Sequence, residues 1–307
     1  MNEYDGLAWY HEWNLEPEAA LSEWNTLAEK ARAEIRTTDH LTLLGWWDTT
    51  ELKKRPPHNS LEAASLNSIG NELGQAALGN RAQNLHAAIV CYNEALTLYK
   101  PNTQDWAMTQ NNKGIALKNL PDGDRAANLR EAIACYDAAL RVRTEDTLPM
   151  DWAATQNNKG AALGDLPDGD RAANLRAAIA CYDAALRVYK EDTLPMQWAT
   201  TQNNKGNALG NLPDGDRAAN LRAAIACYDA ALRVRTEDTL PMQWAMTQYN
   251  KARLFIALED LPNALICAQA AVSGLRRVGH TYYLQIAEEL QNALQQFLDE
   301  NSESPGN

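Results

Sequence analysis

The hexapeptide TQNNKG stands at 109–114, returns at 155–160 and 201–206, and is followed by TQYNKA at 247–252. A polar sextet kept through three copies is either a multiplied site or one piece of a repeating structural unit. The flanking residues supply the register. Trp106, Trp152, Trp198 and Trp244 are 46 residues apart, and so are Cys135, Cys181 and Cys227. An earlier copy runs from about Leu61 to Lys100, with Gly70 for Gly114 and Cys91 for Cys135, both offset by 44. In a last copy Ala252 stands where the others have glycine, and Cys267 follows Cys227 by only 40 residues. Five copies in register are the mark of a repeat array.

Each copy reads as two helices. In the second, Trp106, Ala107, Gly114, Leu117 and Leu120 recur at roughly helical spacing. Pro121-Asp122-Gly123-Asp124 follows and is turn chemistry. From Asn128 to Arg143, Leu129, Ala132, Ile133, Tyr136, Ala139 and Leu140 form an apolar stripe at three-and-four spacing. Pro149 suits the first turn of the next helix. No period-2 run of β-branched residues announces a strand. A helix pair of this kind cannot bury its own apolar face, so neighbours must stack and the ends need caps. The pairs are expected at about 61–102, 103–148, 149–194, 195–240 and 241–277. An N-terminal helical cap is expected over 1–60, holding Trp9, Trp13, Trp24, Trp46 and Trp47, with helices near 17–36 and 38–54. A capping helix and a frayed tail are expected over 278–307.

Composition narrows the function classes. The chain of 307 residues carries 28 Lys+Arg against 40 Asp+Glu, a net charge of −12 that repels phosphate backbones, so no nucleic-acid partner is expected. No apolar run approaches the ~20 residues of a membrane span, and no membrane partner is expected. The acidic, aromatic start MNEYDGLAWYHEW lacks a signal peptide's basic and apolar regions, so a cytoplasmic location is expected. Five widely spaced cysteines suit neither a disulfide framework nor a zinc site, and read as small buried apolar residues. The histidines share no motif, and no Gly-rich phosphate loop appears. Neither an enzyme nor a cofactor is expected.

Gly114, Ala132, Tyr136 and the Ala139-Leu140 pair resemble the pattern of tetratricopeptide repeats. The long unit, with Asn111-Asn112 in its first helix, looks most like the kinesin-light-chain variety, similar to units in bacterial signalling proteins. The resemblance covers roughly 61–277. It departs in the 46-residue unit, longer than the family's usual length, and in Lys113, Lys159, Lys205 and Lys251, which stand where the family has leucine. The resemblance implies an all-α, right-handed α-solenoid of helix-turn-helix repeats with helical caps. It also implies a non-enzymatic scaffold or adaptor that binds a protein or peptide in a concave groove lined by the first helix of each pair. Two alternatives are a regulatory subunit controlling a separate effector, such as a caspase-like protease, and a self-associating structural protein.

On that mapping the groove stripe of the second copy is Met108, Asn111, Asn112, Ile115 and Lys118, kept on one face by their spacing. The equivalent residues are Asn157, Asn158 and Ala161, then Asn203, Asn204 and Asn207, then Tyr249, Asn250 and Arg253, with Asn67 and Asn71 in the first copy. An asparagine ladder suits an extended peptide, because each amide both donates and accepts. The same asparagines could instead hold neighbouring copies together. The lysines are either cationic points for a ligand or packed stems whose amines meet nearby acids, Asp137, Asp183 and Asp229 among them. The PDGD loops lack the calcium-loop pattern and read as turns with helix N-caps. The tryptophan ladder reads as packing between copies. The N-terminal tryptophans read either as buried in the cap or as an exposed anchor.

Overall fold

The computed structural model describes residues 60–76 and 80–302. The expected Trp-rich cap over 1–60 and the tail beyond 302 lie outside the described residues. Every element among those described is a helix: α1 Ser60–Gln75, α2 Arg81–Leu98, α3 Gln104–Asn119, α4 Arg125–Leu140, α5 Pro149–Asp165, α6 Arg171–Val188, α7 Pro195–Asn211, α8 Arg217–Leu232, α9 Pro241–Ala257, α10 Leu261–Val278 and α11 Thr281–Ser302. Among the described residues, those up to 167, with α1 to α5, form one compact unit, and those from 168 on, with α6 to α11, form a second. In the first unit α1 packs on α2 and α3 on α4, while α2 meets α3 and α4 meets α5. In the second, α7 packs on α8 and α9 on α10, with α6 against α7, α8 against α9 and α10 against α11.

Local chemistry sets the boundaries. Asp124, Asp170 and Asp216 are N-caps whose side chains accept from backbone N–H groups at the starts of α4, α6 and α8. The glycine before each, Gly123, Gly169 and Gly215, has φ of 75°, 77° and 76°, a left-handed conformation that glycine adopts without strain. An asparagine four residues after each cap, Asn128, Asn174 or Asn220, donates back to the carbonyl of the loop's first aspartate at 2.8–2.9 Å. Pro149, Pro195 and Pro241 open α5, α7 and α9, where a missing N–H costs nothing.

The conserved-looking glycine of the sextet makes room for one ring. A Cβ on Gly114 would sit 2.6 Å from Cε1 of Tyr136, which is fully buried. Gly70 stands against Tyr92 at 2.6 Å and Gly206 against Tyr228 at 2.7 Å in the same way. In the last copy Ala252 faces not tyrosine but Ala268, in one cluster with Ala264, Cys267 and Leu294. The small and the large residue have changed together.

The second helices alternate. α2 and α6 run for 18 residues and are capped at Tyr99 and Tyr189. α4 and α8 run for 16 and are capped at Arg141 and Arg233. The register position after them is therefore Tyr99, Arg143, Tyr189, Arg235, all four buried. Across the first three turnings the copies match, but this corner repeats only every second copy.

Candidate functional site

The first helices α1, α3, α5, α7 and α9 carry the expected stripe. In the first unit its amides join neighbouring copies side chain to side chain. Asn112 Nδ2 donates to Asn67 Oδ1 at 3.3 Å and to Asn71 Oδ1 at 3.0 Å. Asn158 Nδ2 donates to Asn111 Oδ1 at 3.2 Å, and Asn111 Nδ2 donates to Asn112 Oδ1 at 3.4 Å. In the second unit Asn250 Nδ2 donates to Asn207 Oδ1 at 3.4 Å, and Thr247 Oγ1 lies 3.1 Å from Asn203 Oδ1. Asn67 and Asn111 are buried, at 4% and 7% exposure. Asn71, Met108, Asn112, Ile115, Asn157, Asn158, Asn203, Asn204, Asn207, Tyr249 and Asn250 are half-buried, and Arg253 is exposed. Tyr249 packs beside Ala245, Val272 and Leu275 rather than standing free.

Three stripe residues meet at one pocket of about 80 Å³: Asn71, Asn112 and Ile115. The amides of Gln75 and Asn119 join its lining, with Leu85 and Ala116 as apolar floor. Tyr hydroxyls reach the stripe from behind: Tyr92 Oη donates to Asn71 Oδ1 at 2.8 Å, and Tyr228 Oη to Asn207 Oδ1 at 2.6 Å. Tyr136 Oη is buried with no partner; Ile115 stands where the copies of Tyr92 and Tyr228 have the accepting Asn71 and Asn207.

The lysines are engaged by acids. Lys159, Lys205 and Lys251 reach Asp137, Asp183 and Asp229 of the preceding second helix at 2.5 Å each. Lys113 meets Glu131 of its own copy at 2.7 Å. The residue equivalent to Asp137 one copy earlier is Asn93, and Glu131 stands where later copies have Ala177 and Ala223. Each ammonium thus has a carboxylate while its stem lies along the helix pair.

Two arginines were not on the expected stripe. Arg143 is 4% exposed, donates from Nη1 to Thr155 Oγ1 at 3.0 Å, and has Asp151 Oδ1 at 3.7 Å from Nη2. Arg235 is 8% exposed and donates to Thr247 Oγ1 and Thr200 Oγ1, both at 3.2 Å. Burial lowers the pKa of both guanidinium groups, and only for Arg143 does an acid, Asp151, oppose it. The sequence signal was the Tyr-Arg-Tyr-Arg alternation within an otherwise uniform repeat.

The thiols carry no reactive signature. Burial pushes Cys91 up to about 12 and Cys135 to about 11, and raises Cys227 and Cys267 as well. Among the described residues no group of three or more His, Cys, Asp or Glu side chains is placed to hold a metal ion, and no helix is long and apolar enough to cross a membrane.

No protein-family model matches the chain, and no curated protein matches it. Solved structures do. BtubC (BKLC) from P. vanneervenii is 16% identical with a TM-score of 0.56, over 86% of this chain and 94% of that one. The TPR2AB domain in its pHSP90 complex, from yeast Sti1, is 15% identical with a TM-score of 0.30, over 88% of this chain and 99% of that one. The chain has the all-α solenoid fold of a tetratricopeptide-type helical repeat protein.

Proposed function

We propose that this chain is a non-enzymatic scaffold that binds an extended segment of a partner protein along its first helices. One observation carries the reading. The amides of successive first helices lie within hydrogen-bonding distance of one another, so each unit presents a continuous polar strip rather than isolated side chains. Half-buried amides on such a strip are fixed by their neighbours and still offer donors and acceptors to a backbone. The pocket at Asn71, Asn112 and Ile115 adds a place for one partner side chain.

The test is capture from the native host with the full chain and with Arg253→Glu, which alters the exposed stripe residue and leaves the amide network intact. A partner held by the first and lost by the second is expected, with melting temperatures that agree. Equal capture by both sinks the groove reading. A second reading, self-association, draws on the exposed Tyr282 and Phe297 of α11, at 66% and 53% exposure. Light scattering that grows with protein concentration would favour it.

A further inference from the structure

The amides that join the first helices end at Asn250 of α9. α11 follows against α10, and its burial gives its register. Ala287 and Leu294 are buried 40 residues after the buried Thr247 and Leu254. Ile286, Leu290 and Ala293 therefore stand where α9 has Met246, Asn250 and Arg253. The polar character of the stripe is gone. Tyr282, Ile286, Ala293 and Phe297 follow one another at spacings of four, seven and four residues. That spacing keeps them on one helix face for about 22 Å. Tyr282, Ala293 and Phe297 are exposed, and Ile286 is half-buried.

The charge along this face is one-sided. α11 carries Glu288, Glu289, Asp299 and Glu300 and no lysine or arginine. Glu288, on the other flank, meets Arg276 of α10 at 2.6 Å. Glu289 and Glu300 each stand three residues after a stripe residue, Ile286 and Phe297, and so border the apolar face. Each accepts from a neutral glutamine of α11: Glu289 from Gln285 at 3.0 Å and Glu300 from Gln296 at 2.8 Å. The cations of α9 and α10 are spent elsewhere. Lys251 is held by Asp229, Arg277 by Asp238 and Arg276 by Glu288. Arg253 exerts its field on Tyr228 of the preceding copy.

We infer that the open face of α11 is a docking surface for an amphipathic helix of a partner protein that carries lysine or arginine beside its apolar stripe. Two exposed aromatic rings, at the two ends of a stripe four turns long, are anchors for apolar side chains of such a helix. Glu289 and Glu300 then meet bases, which speeds encounter and fixes the partner's register. A second copy fits poorly, because its own α11 would bring acids against acids. An anionic lipid surface is repelled for the same reason. The inference stands apart from the scaffold reading, whose amide strip ends at α9.

The full chain is titrated into a fluorescein-labelled helical peptide of about five turns, with leucine at three-and-four spacing and lysine on both flanks. Its controls are the same peptide with glutamate for lysine and a scramble of equal composition, all read by fluorescence anisotropy. Saturable binding of the lysine peptide alone is expected. Tyr282→Ser/Phe297→Ser should weaken it by about tenfold or more. Glu289→Gln/Glu300→Gln should weaken it about three- to tenfold and flatten its salt dependence. All four side chains are exposed, so melting temperatures should agree within about 2 °C. Arg253→Glu, the test of the strip, should bind the peptide no more weakly than wild type. Equal binding of the lysine peptide and its scramble, or equal binding by wild type and Tyr282→Ser/Phe297→Ser, overturns the inference. Loss in Arg253→Glu with binding kept in Tyr282→Ser/Phe297→Ser would place the peptide on the strip and overturn it too. So would a dimer of the chain alone, in sedimentation, that Tyr282→Ser/Phe297→Ser dissolves, since the face would then belong to a second copy.

Discussion

Replacing Gly114 by alanine tests the packing rule that runs through the copies. The new Cβ would lie 2.6, 2.9 and 3.0 Å from Cε1, Cζ and Cδ1 of Tyr136. Ordinary contact begins near 3.4 Å, so the ring must retreat by several tenths of an ångström. It has nowhere to go, being fully buried among Leu117, Leu129, Cys135, Ala162 and Leu166. Such overpacking costs about 1–3 kcal/mol. Alanine returns up to about 1 kcal/mol of helix propensity. The net expectation is a loss of about 0.5–2 kcal/mol, read as a lower urea midpoint by circular dichroism. In a Tyr136→Ala background the ring is gone, and the same Gly114→Ala change should stabilise by up to about 1 kcal/mol. That double variant reproduces the Ala252–Ala268 pair of the last copy. A Gly114→Ala protein at least as stable as wild type, or one whose effect has the same sign in both backgrounds, would refute the reasoning.

Other expectations concern single groups. Tyr136→Phe removes a buried hydroxyl that has no partner, and should stabilise by about 1 kcal/mol; a lower urea midpoint would contradict it. Asn112→Ala removes the donor to Asn67 and Asn71 and should cost about 1–2 kcal/mol in the same assay. Alkaline pH should destabilise the fold through its thiols. Cys91 and Cys135 are raised from 9.0 to about 12 and about 11, so their contribution is intact below pH 9 and is lost as pH climbs from there toward those values. The urea midpoint should fall between pH 8 and 10.5, and Cys135→Ala should fall less steeply. Asp183→Asn should change stability by under about 1 kcal/mol, because the carboxylate is 52% exposed. A larger loss would mean that the Lys205 ammonium depends on it more than its exposure suggests.

What the sequence made legible was local. The PDGD turn with its capping aspartate and the proline openings rest on neighbours within a few positions, and each appears where the pattern places it. Asp137, Asp183 and Asp229 were readable as lysine partners because one position per copy supplied one acid per lysine. Lys113 broke that rule for a reason visible only once Glu131 is seen beside it. The stripe itself was legible as a face but not as a network. Whether Asn112 looks outward or toward Asn67 depends on the distance between two helices 45 residues apart in the chain. Arg143 and Arg235 look like surface charges in a polar loop. Their burial comes from the helix that follows, which no window around them contains.

The alternation of Tyr99, Arg143, Tyr189 and Arg235 bears on how such a chain can grow or shrink. Deleting 149–194 would set one arginine corner directly after another, and would join an 18-residue stride to two successive short ones. Deleting 103–194 would restore the original order at the junction. At these four corners the structural module is then the double copy, and only an even change in the number of copies between them keeps the order of tyrosine and arginine. In this chain an odd change would be restored by trading an arginine for a tyrosine at the junction.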